Sequence, residues 1–222
     1  MKILHGFSEK EPMHSLLRAS GLEPVHVPFL EHEGVHIQKP KAIPEVVLVS
    51  SARTIRYWGA WGEWIRQHAI RVVAISSKTQ QALEAEGIPS YCAKGTGDQL
   101  VRMLDMMDCA SFVHIGAQEL SSKLDASLLA QQRPYIRVPV YRSYPNPHFD
   151  VGVDVVLGCL NSERCAKIWS IHAPLIPAVC IGETTKAKAI VLGLDVLGVA
   201  NTPTRESLVD VAVSASRKMT RK

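Results

Sequence analysis

Two short stretches of this 222-residue chain combine residue types that attract anions: Ile75-Ser76-Ser77-Lys78-Thr79 and Ile181-Gly182-Glu183-Thr184-Thr185. Each ends an apolar run and opens a segment of helical period. Hydroxyl groups therefore fall at helix openings, where backbone N–H groups lack intrahelical partners and the helix dipole is positive. Carboxylates favour such a place, and Lys78, Lys186 and Lys188 add positive charge nearby. Thr79 and Thr185 would equally serve as plain helix caps, and spacing leaves both roles open.

Other chemistries lack their residues. Neither G-x-G-x-x-G nor G-x-x-x-x-G-K-[ST] occurs, and GTG at 95–97 reads as a turn opening a helix, which argues against a nucleotide-dependent enzyme. H-E-x-x-H is missing, and His32 and His36 flank Gly34 in a stretch without helical pattern. They read as solvated loop histidines, so no metal is expected. The serine elbow of triad hydrolases is missing as well.

The elements that must position these turns alternate along the chain. Apolar runs predict strands near 2–6, 23–30, 46–51, 72–76, 112–116, 135–141, 154–160, 177–182 and 195–200. Helical periods lie between most of them, most clearly at 78–86, 97–107, 119–131, 184–192 and 204–217. In the last, Thr204 is the expected cap, with Ser207 completing a partial capping box. Alternation of this kind predicts parallel α/β sheets, because parallel strands need a crossover. Both anion-attracting turns would then sit at strand carboxyl ends, where open α/β sheets bind ligands.

An internal repeat sets the domain organisation. Segments beginning at 46, 74 and 95 recur in order at 155, 180 and 203, at offsets of about 106 to 109 residues, too long for a solenoid. Two similar α/β lobes follow. Breaker-rich 138–150 separates the copies, and loose 31–44 precedes the first. If both are crossings, residues 1–30 and 146–222 form one discontinuous lobe and 31–145 an inserted one.

A net charge of +4 is too mild for a nucleic-acid partner but suits a small acidic ligand. The apolar content of 46% is that of a folded globular chain. The N-terminus meets charge too early for a secretory signal, and no apolar run reaches membrane-spanning length. Five cysteines without C-x-x-C predict reduced, buried thiols and a cytoplasmic protein without membrane partners. Trp58, Trp61 and Trp64, and Met103, Met106 and Met107, read as core residues.

An ordered set of segments resembles the uroporphyrinogen-III synthase family: KILHG through GLEPVHVPFL (21–30), VVLVSSARTIR (46–56), ISSKTQQALEAEGI (75–88), GTGDQLVRML (95–104), VPVYRSYP (138–145) and IGETTKAKAIVLGLDVLGVANTPTRESLVDV (181–211). The likeness spans nearly the whole chain. It implies two flavodoxin-like, three-layer lobes, a two-stranded connection, and an active cleft between them. It also implies a cofactor-free lyase of tetrapyrrole biosynthesis, expected as a monomer, that closes hydroxymethylbilane into a ring with inversion of the last pyrrole. Matched by motif, Tyr141 takes the place of the cleft tyrosine. Thr79 and Thr185 match the threonines of two G-x-x-T turns, which carry Ser77 and Lys78 in one and Gly182, Glu183 and Thr184 in the other. Ser51 and Arg53 match a Ser-x-Arg, Ser162 falls in the corresponding turn of the second copy, and Gly116 matches a glycine-centred turn.

The implied chemistry suits these residues. The substrate carries eight carboxylates and closes spontaneously to the wrong isomer, so the main task is holding one folded conformation. A phenol, protonated at neutral pH, can assist departure of the hydroxyl; Tyr141 packing in the connection is the plainer alternative. The sequence departs from the family pattern at Ser76, where glycine is expected, at Leu160 in place of a serine, and at Ile115 in place of an arginine. A non-catalytic two-lobed binding or regulatory protein for an acidic metabolite is the competing class.

Overall fold

The computed structural model describes residues 1–7, 9–36, 38, 42–93, 97–119, 129–130, 135–152 and 154–220, without the side chains of 97, 98 and 135. The helix predicted at 119–131 and the start of GTG fall largely outside them. The strands are β1 (Lys2–His5), β2 (Glu23–His26), β3 (Leu30–Gly34), β4 (Val46–Val49), β5 (Arg71–Ala74), β6 (Tyr91–Cys92), β7 (Phe112–Ala117), β8 (Tyr135–Pro145), β9 (Val155–Leu160), β10 (Ala178–Cys180) and β11 (Val196–Val199). The helices are α1 (Lys10–Ala19), α2 (Ala52–Tyr57), α3 (Trp61–Gln67), α4 (Ser77–Ala85), α5 (Gly97–Met106), α6 (Glu163–His172), α7 (Glu183–Val191) and α8 (Arg205–Thr220).

The chain divides into two units, Met1–Glu31 with Tyr144–Lys222, and His32–Ser143. It leaves and re-enters the first unit inside β3 and β8. The first unit carries a sheet of order β11-β10-β9-β1-β2, parallel at every pairing. The second carries β3-β8-β7-β4-β5-β6, whose pairings from β8 to β6 are parallel. Read along the sheets, β6-β5-β4-β7-β8 and β11-β10-β9-β1-β2 have the same spatial order under a circular permutation. That explains why the repeat in sequence covers 46–104 and 155–212: these are the strands and helices that occur in the same chain order in both units.

Each sheet is covered on both faces, so its strands read as unbroken apolar runs rather than as alternating ones. In the first unit Ile3 packs with α1 and α8 through Met13, Leu17, Leu208 and Ala212. Its neighbour Leu4 packs with α6 through Ala166 and Trp169. A Cβ at Gly158 would stand 2.5 Å from the Trp169 ring, so β9 and α6 approach as closely as only glycine permits. In the second unit Val47 and Val49 face Trp58, Trp61, Trp64 and Leu83, while Val46 and Leu48 face Leu100 and Leu104. The three tryptophans are core residues as expected, although α2 and α3 break between them at Gly59, where φ is +52°. Met106 is a correction: it is 87% exposed, on the outer face of α5.

Thr204 caps α8 by accepting from the Ser207 amide at 3.2 Å, and Ser207 Oγ accepts from the Thr202 amide. All five cysteines are free; Cys92 is partly exposed and the other four are buried. Among the described residues no helix is long and apolar enough to cross a membrane.

Candidate active site

In the second unit, parallel register aligns the strand carboxyl ends along one sheet edge. Val49 is level with Ala74 and with Ile115, and Ala117 is level with Tyr141. That edge gathers Ser51 and Arg53 after β4, Ser76 to Thr79 after β5, Gly116 on β7 and Tyr141 on β8. The corresponding edge of the first unit gathers Asn161 and Ser162 after β9 and Ile181 to Thr185 after β10. A separate cavity of about 600 Å³, at the opposite end of β5 beside Arg71, Ile88 and Tyr91, contains no predicted site residue.

The turns differ in how their amides are satisfied. Ser51 accepts from the Arg53 amide at 3.2 Å, Ser76 from the Thr79 amide at 3.3 Å, and Ser162 from the Cys165 amide at 3.3 Å. Gly182 caps α7 without any side-chain bond, and a Cβ there would meet nothing within 4 Å. The first turn of α7 therefore presents amide donors that the other three helices partly satisfy with their own serines. Thr79 and Thr185 are not the caps: both stand at the third helical position, 1% and 2% exposed. Thr79 Oγ1 is spent on Ser76 Oγ at 3.0 Å. The serine in place of glycine thus changes this turn from an open one to a self-satisfied one.

The remaining predicted residues are distributed as follows. Ser77, Lys78, Glu183 and Thr184 are exposed, and Arg53 is half-buried. Glu183 pairs with Lys186 at 3.3 Å, which offsets part of the charge at the α7 opening. Gly116 is set by packing: a Cβ would come within 2.8 Å of Ser50 Oγ and 3.0 Å of His114 Nε2. Tyr141 is 4% exposed within the second unit's core. It stacks on Tyr57 at 5.4 Å, with His32 edge-on at 6.1 Å.

His32 corrects the sequence reading. It lies on β3, half-buried, with Nδ1 2.9 Å from Ser143 Oγ. β3 pairs with β8, and side chains tie the pair along its length: Arg142 to Glu33 at 2.7 Å and the Tyr144 hydroxyl to Glu31 at 3.2 Å. A polar L-E-H-E-G segment becomes a strand because its partner strand satisfies both backbone and side chains.

Thiolate chemistry is disfavoured at the strand ends of the first unit. Burial pushes the Cys159 thiol up to about 12 and the Cys180 thiol up to about 11. Among the described residues no group of three or more His, Cys, Asp or Glu is arranged to hold a metal ion. The second unit's edge offers hydroxyls and one buried phenol, and the first unit's edge offers open amide donors and hydroxyls, groups suited to holding carboxylates and, at the phenol, to assisting one proton transfer.

The family model for uroporphyrinogen-III synthase HemD matches residues 11–210. Two solved structures share the fold. The uroporphyrinogen-III synthetase of Helicobacter pylori is 15% identical, with a TM-score of 0.71 over 96% of this chain and 98% of that one. A mutant uroporphyrinogen III synthase of Thermus thermophilus is 15% identical, with a TM-score of 0.63 over 98% of both chains. No curated protein matches significantly. A family match over so much of the chain, on a doubly wound two-unit fold with the motif residues at the strand carboxyl ends, means that this protein belongs to the uroporphyrinogen-III synthase family.

Proposed function

We propose that this chain catalyses the closure of hydroxymethylbilane to uroporphyrinogen III, with loss of water and inversion of the terminal pyrrole. The observation that carries the reading is Tyr141: the residue matched to the family's tyrosine stands level with Ala117 at the end of β7, just past the level at which β4 ends and its hydroxyl-bearing helix opening begins. The α7 opening, with Gly182, Thr184 and Thr185, takes a substrate carboxylate on its amides, with Lys186 and Lys188 close by. Ser77, Lys78, Thr79, Ser51, Arg53 and Ser162 hold others, and Gly116 keeps the edge beside Tyr141 clear of a side chain.

Proton donation from Tyr141 to the departing hydroxyl leaves an azafulvenium whose charge the pyrrole nitrogen shares. The substituted carbon of the terminal ring attacks it, the resulting spiro intermediate fragments and recloses, and the proton lost at the end returns to the Tyr141 phenolate. Every step conserves oxidation level, so the reaction needs neither an oxidant nor a reductant, and the proposal is a cofactor-independent lyase. The protein's contribution is orientation, since the unbound bilane closes without inversion.

The test is incubation of the purified chain with freshly generated hydroxymethylbilane, followed by isomer analysis. Isomer III as the main product is expected. Isomer I alone, with the bilane still bound, would instead favour the non-catalytic binding protein.

Thr185→Val removes a hydroxyl while keeping the side chain's shape. It is expected to raise KM about tenfold to a hundredfold, the loss of one hydrogen bond to a charged group, with the melting temperature nearly unchanged. A lowered melting temperature with unaltered KM would assign the hydroxyl to the fold.

A further inference from the structure

We propose that Tyr57 and His32 are positioning residues that aim the phenol of Tyr141; the inference rests on Tyr141 acting as proton donor. The Tyr141 hydroxyl is neither bonded to a described residue nor sealed from the surface. No hydrogen-bond partner therefore sets its direction, and the ring's packing must.

Two elements supply that packing. Tyr57, the last residue of α2, lies nearly parallel to the Tyr141 ring, with centroids 5.4 Å apart and an interplanar angle of 28°. His32 of β3 meets the same ring edge-on, at 6.1 Å and 80°. Stacked and edge-to-face contacts of this kind are favourable and directional. The two supports also hold each other. The Tyr57 hydroxyl donates to the His32 carbonyl at 3.2 Å, His32 Nδ1 is 2.9 Å from Ser143 Oγ, and Ser143 stands two residues beyond Tyr141 on β8. The Val35 amide donates to the Val140 carbonyl at 2.8 Å, fixing β3 against β8 beside the ring. Gly34 completes the arrangement, since a Cβ there would already touch the Tyr57 ring at 3.4 Å.

The circuit runs from Tyr141 to Tyr57, to His32, to Ser143 and back along β8. Its far end is the helix that opens with Ser51 and Arg53. Neither support needs to touch substrate. Their effect is to remove rotational freedom from a phenol that must meet a departing hydroxyl, and small misplacements of such groups are costly to turnover.

The experiment measures kcat, KM and the ratio of isomers III and I with freshly generated hydroxymethylbilane. It compares the intact chain with Tyr57→Leu, Tyr57→Phe, Tyr141→Phe and the Tyr57→Leu/Tyr141→Phe pair. Tyr57→Leu is expected to lower kcat about tenfold with KM within about twofold, and Tyr57→Phe, which keeps the stack, to lower it about twofold to threefold. In the Tyr141→Phe background Tyr57→Leu should have no further effect on kcat, because there is no phenol left to aim. An unchanged kcat in Tyr57→Leu, or the same fractional loss in both backgrounds, overturns the inference. If Tyr141→Phe itself keeps full kcat, the reading of Tyr141 as donor fails, and the positioning role with it. Should Tyr57→Leu fail to fold, Ser143→Ala replaces it in the same cycle, with an expected loss in kcat of about threefold only when Tyr141 is present.

Discussion

Tyr141→Phe is expected to lower kcat for ring closure about a hundredfold, to leave KM within about twofold, and to shift the product toward isomer I. The size follows from the chemistry. General-acid assistance contributes about 10² to 10⁴ in rate, and departure of the hydroxyl is already helped by the pyrrole nitrogen, so the lower end applies. The separation of kcat from KM follows from the site. The phenol is one group, whereas the proposed carboxylate contacts are spread over amides and hydroxyls at several helix openings, so binding should survive its loss. The isomer shift follows from competition, since a slowed enzyme leaves more bilane to close without inversion. The substitution is also gentle on the fold: the ring lies among Val138, Val140, Val113 and Ile115 in the core, and phenylalanine preserves that burial. Steady-state kinetics, isomer analysis and a melting curve on the same preparation check all three parts. Full turnover in Tyr141→Phe would make Tyr141 a packing residue of the second unit.

Much of this fold is written in the chain because both sheets are buried on both faces. Runs such as Val46–Val49 and Val155–Leu160 have no polar alternation to confuse with an exposed strand. The repeat was visible because β4, β5 and β6 with their helices recur in the same chain order as β9, β10 and β11. The correspondence of β7 and β8 with β1 and β2 was not visible, because the permutation moves that pair to the other end of its unit. Two short strands escaped for opposite reasons. β6 has two residues, too few to show any period, and β3 is polar because an edge strand needs only its neighbour.

The candidate site was legible at its helix openings, and the residues packed on Tyr141 were not. Helix openings announce themselves by local residue order, so Ser51, Thr79, Ser162 and Thr185 could be placed from the sequence. The capping roles were not equally clear, because Ser76 and Thr79 are both able to cap and only geometry shows the amide on Ser76. His32 and Tyr57 reach Tyr141 from 109 and 84 residues away, respectively. A contact of that range leaves no signature in spacing. The nearest hint was the pattern E-H-E-G beside a connecting segment, where alternate residues of a paired strand share a face.

Acid costs this protein stability well before carboxylates alone would. His5 is fully buried on β1, with His14 of α1 and His26 of β2 around it at ring separations of 5.0 and 5.1 Å. The ring nitrogens of His5 and His14 are buried without a hydrogen-bond partner among the described residues. The nearby charges on His5 are also unfavourable. Arg205 and Lys10 oppose its protonation, and Glu9 is engaged with Arg205 at 2.8 Å. Burial first, then the neighbouring His26 and His14 and last Arg205 and Lys10, pushes His5 down to about 3, and burial with Arg137 pushes His114 down to about 4. His14 shifts the same way, again through burial first. In the unfolded chain these imidazoles take up protons near 6.5. Between that value and the folded ones the unfolded state binds more protons, so stability is whole above pH 6.5 and falls as pH drops toward 3. At pH 5 each of His5 and His114 removes about 2 kcal/mol, together about 4 kcal/mol of a typical 5 to 15. Urea unfolding at pH 7 and pH 5 measures this loss, and His5→Leu, which cannot take up a proton, should recover about half of it. If wild type and His5→Leu lose the same stability between the two pH values, the His5 imidazole is hydrated or partnered rather than sealed. Because His5 and His26 end β1 and β2 at the same edge as the Gly182 turn, the acid limb of activity should track unfolding and move to lower pH in His5→Leu.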